Sequence, residues 1–351
     1  MGSKITTLIT GVGAPGTQGT LYCLKPYNMD FVGIDMNPES SGRHFVDRFF
    51  PVPHPKEPKY LECLLQICYE CEVDLIIPQT TNEIDALSRD KELIEAQGIK
   101  VMVSPHEAIQ KANNKFTLIQ TFESLGFPVP QTKLTRSRES LMEAAEELGY
   151  PQVPVVVKPA VSNGMRGFRI LRPHAWNAQR FFAEKPSGIE LELNDLLRIF
   201  ETAEIWPEIL VSEYLPGDEY SVDAFIGKKT SVAVVRKRDS IRSGISFATT
   251  PLPHPQMENM TLEVGRFLGL QTVFGMQYKL DKEGTPKVLE CNPRVQGTMV
   301  ATLSTGLNLI GEGAQEALGH PVLSFPNPQF GESFSRYWGG VILNGGKAYA
   351  I

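Results

Sequence analysis

No apolar run in the chain approaches the roughly 20 residues that a membrane-crossing helix needs. The start, Met1-Gly2-Ser3-Lys4, leads straight into a short apolar strand and a glycine turn, without the longer apolar stretch and small-residue cleavage site of a secretory signal. Cysteine is scarce and odd in number, at positions 23, 63, 68, 71 and 291. That argues against a disulfide framework and predicts reduced thiols in the cytoplasm. Nor is there an excess of basic residues. The 34 Lys+Arg are outnumbered by 40 Asp+Glu, a net charge of −6, which argues against a nucleic acid as main partner. Internal repeats and low-complexity tracts are missing too. What remains is an ordinary globular composition, with 42% hydrophobic and 21% charged residues. The 351 residues are enough for two or three domains of roughly 150 residues each.

The first stretch alternates strands and helices. Strands are expected at 5–10, 31–35, 74–77 and 100–103, and helices at 60–70 and 84–97. This pattern predicts a parallel, doubly wound sheet ending near Gln110. A helix then starts at Asn113 or Asn114 and is stopped by Gly126. The run Val153–Pro159 reads as a buried strand, residues 174–206 as mainly helical, and 210–225 as a strand, a turn at Pro216-Gly217-Asp218 and another strand. Strands at 274–280 and 287–292 flank a turn at 281–285. The tail after Pro321 reads as irregular.

Gly11, Gly13, Gly16 and Asp35 imitate a dinucleotide fingerprint. Pro15 stiffens the very turn that would wrap a pyrophosphate. A glycine turn needed for close strand–helix packing accounts for the same residues. Cys68-x-x-Cys71 falls near a helix end without a second Cys/His pair, so Cys63, Cys68 and Cys71 read as packing residues.

The second half carries more chemistry. Lys115 sits in the first turn of its helix, where a cation opposes the helix dipole at a cost of roughly 0.3–1 kcal/mol. Such a violation suggests a nearby anion. Lys158 ends a run of valines that must be buried, and a buried lysine demands an anionic partner. Ser162, Gly164 and Gly167 follow in a Ser/Asn/Gly loop whose backbone N–H groups can approach phosphate oxygens. In 213–219 a strand breaks into a loop. Exposed backbone there can read an adenine edge and a carboxylate can accept ribose hydroxyls, although a hairpin with solvated acids fits equally well. A hairpin centred between Glu283 and Gly284 would pair residues summing to 567. Gln277, Glu290 and Asn292 would then share one face, with oxygens able to converge on one ion. Magnesium accepts such oxygens, and Arg294 follows at the strand end, placed for a transferring phosphoryl group.

Together these residues resemble the ATP-grasp superfamily. The likeness is nearest to the synthetase halves of the carbamoyl phosphate synthase large subunit and to related carboxylate–amine ligases. Leu289-Glu290-Cys291-Asn292-Pro293-Arg294 is similar to the family's E-x-N-P-R segment, and Gln277 matches a glutamine that these synthases use on the metal. The resemblance covers about residues 5–320. It implies an α/β, ATP-grasp fold, two α+β lobes gripping ATP, preceded by a Rossmann-like pre-ATP-grasp domain. The expected domains are 1–110 (pre-ATP-grasp), 111–185 (small lobe with the phosphate lid) and 186–351 (large lobe with the metal site and tail).

By the same likeness, Gln277, Glu290 and Asn292 would bind one or two Mg²⁺ (or Mn²⁺) ions. Lys115 and Lys158 would contact ATP phosphates, and 162–167 would be the lid. The backbone of Glu213 and Leu215 around Tyr214 would read adenine, and Glu219 would hold the ribose. Arg294 and Arg242 would be catalytic. Arg242-Ser243-Gly244-Ile245-Ser246 resembles a substrate loop that has histidine where Arg242 stands. Arg236, Lys237, Arg238 and Arg242 either bind an anionic substrate or form a solvated charge run. The synthetase has a further arginine where this chain has Gly297. The expected activity is ATP- and Mg-dependent activation of a carboxylate as an acylphosphate for attack by an amine. A bicarbonate-phosphorylating enzyme, an NAD(P)-binding oxidoreductase using the glycine loop, and a non-catalytic nucleotide-binding module are the alternatives. Small-molecule substrates, no nucleic acid, no membrane and a homodimer complete the expectation.

Overall fold

A computed structural model describes residues 4–162, 164–173, 176–184, 188–337, 339–344 and 347–350. The chain forms two compact units. The first contains residues 1–112, 220–277 and 291–351, and the second 113–219 and 278–290.

The first unit opens with strands β1 (Ile5–Thr10), β2 (Met29–Asp35), β3 (Arg48–Pro51), β4 (Leu75–Ile77) and β5 (Lys100–Val101). They form one parallel sheet in the order β3-β2-β1-β4-β5. Side chains alternate across a strand, so each strand feeds two cores. Leu8, Ile34 and Ile76 pack with α2 (Tyr60–Glu70) and α3 (Thr81–Arg89) through Leu64, Ile67, Ile84 and Leu87. Ile9, Leu75 and Ile77 pack in a second core with Leu21 and Leu24, whose helix is α1 (Thr17–Leu24). The expected helix over 84–97 is two helices, α3 and α4 (Lys91–Glu95), and α5 (His106–Asn113) and β3 are additional.

In the second unit, β6 (Thr132–Thr135), β7 (Val155–Pro159), β8 (Arg169–Leu171), β9 (Glu190–Leu191) and β10 (Ile209–Glu213) form a sheet in the order β6-β10-β7-β8-β9. Helix α6 (Lys115–Ser124) is capped by the Asn114 side chain, which accepts from the N–H groups of Phe116 and Thr117. Helices α7 (Arg138–Glu147) and α9 (Leu193–Phe200) pack on one sheet face through Leu141, Ala144, Leu196 and Leu197 against Val155, Val157 and Val211. Alternation therefore turns Lys158 to the other face. The helical expectation for 174–206 holds only for α8 (Ala178–Ala183) and α9, with β9 between them.

A third sheet has the order β15-β14-β11-β12-β13-β16. Its strands are β11 (Glu219–Ile226), β12 (Ser231–Arg242), β13 (Ile245–Pro251), β14 (Thr272–Leu280), β15 (Pro286–Asn292) and β16 (Phe334–Ser335). Strands β11, β14 and β15 each have residues in both units. The compact units therefore do not follow the three consecutive domains expected from the sequence. Helix α10 (Pro255–Leu268) follows β13, and α11 (Leu309–Ala317) adds Leu309, Ile310 and Ala314 to the second core.

The imidazole of His254 caps α10 by accepting from Met257 N–H at 3.4 Å, and Pro255 occupies the first turn, where no N–H is needed. The β14–β15 loop is centred differently from the expectation. Asp281 N–H donates to Thr285 O at 3.0 Å, and Gly284 adopts φ 82°, so the innermost pair sums to 566, not 567. A left-handed glycine there adds a residue to one side of the turn. Further along β15, Val288 and Cys291 are both buried while Leu289 and Glu290 between them are half-buried. The alternation thus loses step by one residue at this point.

Candidate functional site

The second unit brings four of the expected residues together. Lys115, the first residue of α6, is 6% exposed. Its backbone N–H donates to Ala160 O at 2.9 Å, holding the start of the helix to the chain leaving β7. Its Nζ lies 3.7 Å from a Glu290 carboxylate oxygen and donates to Ser162 O (3.2 Å) and Ser162 Oγ (3.3 Å). Lys158 is 7% exposed and donates to the carbonyl of Leu289 at 3.1 Å. Burial first, then the charge of Lys115, push the Lys158 ammonium down to about 8, against the pull of Glu290. Lys115 thus faces the half-buried Glu290 carboxylate, and Lys158 the carbonyl of the residue before it.

Gly164 (φ 61°) and Gly167 (φ 78°) are left-handed, a region that favours glycine. Open space surrounds Gly164, whereas a Cβ at Gly167 would meet the Pro159 ring at 2.6 Å. Asn163 lies outside the described residues.

At the expected adenine segment, Glu213 ends β10. Its carboxylate accepts from Gln131 N–H (2.9 Å) and from Lys287 Nζ (2.7 Å), and Lys287 also reaches Asp281 at 3.4 Å. Leu215 is buried. The Tyr214 ring is covered by the Arg172 guanidinium at 5.2 Å and by Lys279 Nζ at 5.7 Å. The Glu213 side chain is thus tied within the protein, leaving backbone groups of 213–215 to do any reading. Glu219 is the first residue of β11 and is half-buried. Sequence reasoning missed Lys287. Its signal is the acid pair Glu213 and Asp281, which only strand pairing brings to it.

In the first unit, Gln277 Oε1 accepts from Arg238 Nη1 at 3.3 Å, and Asn292 Oδ1 accepts from Arg294 Nη2 at 3.2 Å. Arg294 also donates to Val295 O (2.9 Å) and reaches Thr81 Oγ1 at 3.4 Å. Arg242 stands apart. It is exposed at the end of β12, its guanidinium 4.7 Å from the Phe247 ring centroid. Ser243 (φ 49°) and Gly244 (φ 78°) make the two-residue turn to Ile245. The neighbouring basic run is not a solvated face. Arg236 (1% exposed) forks onto Asp223, and Arg238 donates to Ser246 Oγ (2.9 Å) and Gly244 O (2.5 Å). Alternation along β12 turns both inward, and the partner acid lies on β11.

The chain matches two described families. Residues 8–102 match "PylC-like, N-terminal domain", and residues 206–336 match "ATP-grasp in the biosynthetic pathway with Ter operon". The fold is shared, at a TM-score of 0.73, with the biotin carboxylase domain of the Hydrogenobacter thermophilus 2-oxoglutarate carboxylase, solved with MgADP, ADP and bicarbonate. The identity is 16%, and 100% of this chain and 84% of that one are covered. The Staphylococcus aureus N5-carboxyaminoimidazole synthetase, complexed with ADP, gives 0.69 at 17% identity over 93% of this chain and 80% of that one. The chain has an α/β fold with an ATP-grasp-like domain architecture.

Among curated relatives, the Pyrococcus furiosus carbamoyl phosphate synthase large chain is 28% identical over 64% of this chain and 20% of its own length. The N-terminal section of the Aquifex aeolicus large chain is 24% identical over 88% of this chain and 55% of that protein. The chain spans about a fifth to a quarter of the first full-length curated relatives it matches.

The N-terminal glycine loop of this chain is filled by the protein itself. A Cβ on Gly16 would lie 2.8 Å from Gly297 Cα, and one on Gly19 2.8 Å from Val300. Asp35 Oδ2 accepts Gly13 N–H and Oδ1 accepts Asn37 N–H, both at 2.8 Å. Glu83, its carboxyl pushed up by burial, packs on Gly11 and accepts from Thr10 Oγ1 at 2.6 Å. The glycines serve close packing. Cys68 and Cys71 are buried in the first core, and burial pushes the Cys68 thiol up to about 12, as befits packing residues. No helix of the described residues is long and apolar enough to cross a membrane.

Proposed function

We propose that the chain is an ATP- and Mg-dependent ligase that activates a carboxylate as an acylphosphate for attack by an amine. The observation that carries this reading is the pair of buried lysines at β15, Lys115 with its Nζ 3.7 Å from the Glu290 carboxylate and Lys158 with its Nζ on the Leu289 carbonyl. A buried site with more cation than anion is prepared for an anionic ligand. The left-handed Gly164 and Gly167, following Ser162 beside it, suit the approach of a polyphosphate.

In this reading the two lysines hold the phosphates and residues 162–167 close over them. The backbone of Glu213 and Leu215, with Tyr214, reads the base, and Glu219 holds the ribose. Glu290, Asn292 and Gln277 offer only oxygen donors, a set that fits a hard divalent cation, Mg²⁺ or Mn²⁺. Bound there, the ion would neutralise charge on the phosphates as the phosphoryl group moves. An oxygen of the substrate carboxylate attacks the γ-phosphorus and ADP leaves. The amine then attacks the acyl carbon and inorganic phosphate leaves. Arg294, tethered by Asn292, Val295 and Thr81, holds the phosphoryl group. Arg242, exposed on its hairpin, meets the incoming substrate. The 1–110 portion acts as the pre-ATP-grasp domain, and the active form is a cytoplasmic homodimer.

A second reading, phosphorylation of bicarbonate, is favoured by the carbamoyl phosphate synthase relatives. ADP release is the deciding measurement, across carboxylic acids with and without amines, with bicarbonate as a separate arm. Acid-dependent release supports the ligase, and bicarbonate-dependent release without an organic acid supports the second reading. No ADP release with any acid, despite MgATP binding, would leave only a nucleotide-binding module.

A further inference from the structure

Lys287 lies on β15, a few positions before Glu290, and its side chain is 15% exposed. Its ammonium sits between two acids from different parts of the chain, 2.7 Å from Glu213 and 3.4 Å from Asp281. Glu213 is also fixed from a second side. The Oε1 that meets Lys287 accepts Gln131 N–H at 2.9 Å, and the Glu213 backbone N–H donates to Gln131 O at 2.9 Å. Asp281 is fixed by its own turn, where its other oxygen accepts the N–H groups of Glu283 (3.0 Å) and Thr285 (2.8 Å). Burial lowers the Lys287 ammonium, but Glu213 and Asp281 outweigh it and hold the group above its usual pKa.

This clamp is one of two ties between the loop after β10 and the β14–β15 hairpin. In the other, Gly217 N–H donates to Leu280 O and Leu280 N–H donates to Asp218 O, both at 3.0 Å. The approach is close, since a Cβ on Gly217 would lie 2.6 Å from Leu280 Cβ. The backbone of 213–215 therefore runs between two anchors on the same hairpin. The anchor at Gly217 is made by backbone groups, whereas the anchor at Glu213 depends on the side chain of Lys287. The same strand carries Leu289 and Glu290, which meet Lys158 and Lys115. At a strand rise of about 3.3 Å per residue, Lys287 and Glu290 stand about 10 Å apart along β15. One strand thus fixes both the segment assigned to the base and the lysines assigned to the phosphates, and all of these residues belong to the second unit.

We propose that Lys287 is a positioning residue that sets the choice of nucleobase: by holding Glu213 to the β14–β15 hairpin, it keeps the backbone of 213–215 in the register that reads a 6-amino purine. This deepens the ligase reading and rests on it. A 6-amino purine offers an N–H donor beside a ring nitrogen acceptor, which match one backbone carbonyl and one backbone N–H. A 6-oxo purine offers the reverse at both positions. Backbone groups reject the wrong edge only if they are held in place, because a segment that can shift finds other partners. Without Lys287, Glu213 and Asp281 become two half-buried acids that repel each other, and the end of β10 loses its side-chain anchor.

The test is the preference of the full chain for MgATP over magnesium inosine triphosphate (MgITP), measured by calorimetry for each nucleotide. The wild type is expected to bind MgATP about tenfold more tightly, or better. Lys287→Met should weaken MgATP by about fivefold or more while MgITP changes by less than about twofold, so that the preference collapses. Lys287→Arg keeps the cation between the two acids and should retain the wild-type preference within about twofold. If Lys287→Met fails to fold, the double variant Lys287→Met/Glu213→Gln, which removes the uncompensated charge, decides by the same loss of preference. Equal weakening of both nucleotides in the methionine variant is the outcome for a lysine that only supports the fold, and it overturns the proposal. An unchanged preference in that variant, or a preference lost in Lys287→Arg as well, overturns it too. A wild type that binds both nucleotides equally overturns this proposal and leaves the ligase reading standing, whereas a wild type that binds neither overturns the ligase reading and the proposal with it.

Discussion

Lys115 and Lys158 meet neighbouring residues of β15, Glu290 and Leu289. One ammonium stands 3.7 Å from the Glu290 carboxylate, and the other donates to the Leu289 carbonyl. The fold carries the cost of this crowding. The drop of Lys158 from 10.5 to about 8 corresponds to about 3 kcal/mol against the charged form. At pH 7 the lysine is charged in both the folded and the unfolded chain, so the folded state bears that penalty in full. It fades as pH rises from about 8 towards 10.5. Lys158→Met should therefore stabilise the nucleotide-free protein by about 1–3 kcal/mol at pH 7, less at pH 10. The same variant should weaken MgATP binding at least tenfold. Thermal unfolding with and without MgATP checks both halves, and a destabilised variant would contradict the lysine environment described above.

The same lysine gives nucleotide binding a pH dependence. A polyphosphate beside Lys158 restores the charged form, so binding must take up a proton wherever the free lysine is deprotonated. Affinity should be flat below pH 8 and fall above it, by up to about tenfold per pH unit. Calorimetry at pH 8.5 in buffers of different ionisation enthalpy should show proton uptake on MgATP binding. Lys158→Arg, charged throughout, should abolish that uptake.

Glu290 has two duties in the proposed mechanism, and they separate experimentally. Glu290→Gln keeps an oxygen but removes the charge. ADP release should fall by about 10²–10³-fold, comparable to the loss of one preorganised electrostatic group. Lys115 would lose its carboxylate and stability should fall by about 1–3 kcal/mol. Turnover assays and thermal unfolding measure the two effects. Normal turnover in this variant would rule out a metal role for Glu290.

Lys115 and Lys158 were legible in the sequence because each breaks a local rule: a cation at a helix start, and a lysine ending a valine run. The parallel sheet was legible because alternating strands and helices are a short-range pattern. What escaped is what depends on distant partners. Arg236 and Arg238 read equally as an anion-binding cluster or a solvated run until β12 pairs with β11 and gives Arg236 its partner Asp223, 13 positions away. Arg336 has its partners at Pro15 and Gly297, 321 and 39 positions off, so no spacing announces it. Helix α10 was hidden because Pro253 and Pro255 resemble a loop, although proline is acceptable in a first turn. The centring of the β14–β15 loop turned on the left-handed conformation of Gly284, which a count of residues cannot supply.

The glycine loop offers a last discrimination. A dinucleotide site needs Gly16 for close approach of a pyrophosphate, whereas the structure uses it for contact with Gly297. Gly16 does not have a positive φ, and the obstacle to a side chain is backbone, with Gly297 Cα at 2.8 Å and its carbonyl oxygen at 3.3 Å. Backbone cannot step aside as a flexible side chain can, so Gly16→Ala should cost about 1–3 kcal/mol by overpacking. Asp35 adds a second criterion, since both of its oxygens already accept backbone N–H groups. Asp35→Asn should weaken the loop without altering any nicotinamide affinity, because the wild type should have none. Thermal unfolding of both variants, with NADH fluorescence titrations of the wild type, tests the pair of expectations. NADH binding to the wild type that is lost in Asp35→Asn would return the glycine loop to a dinucleotide role.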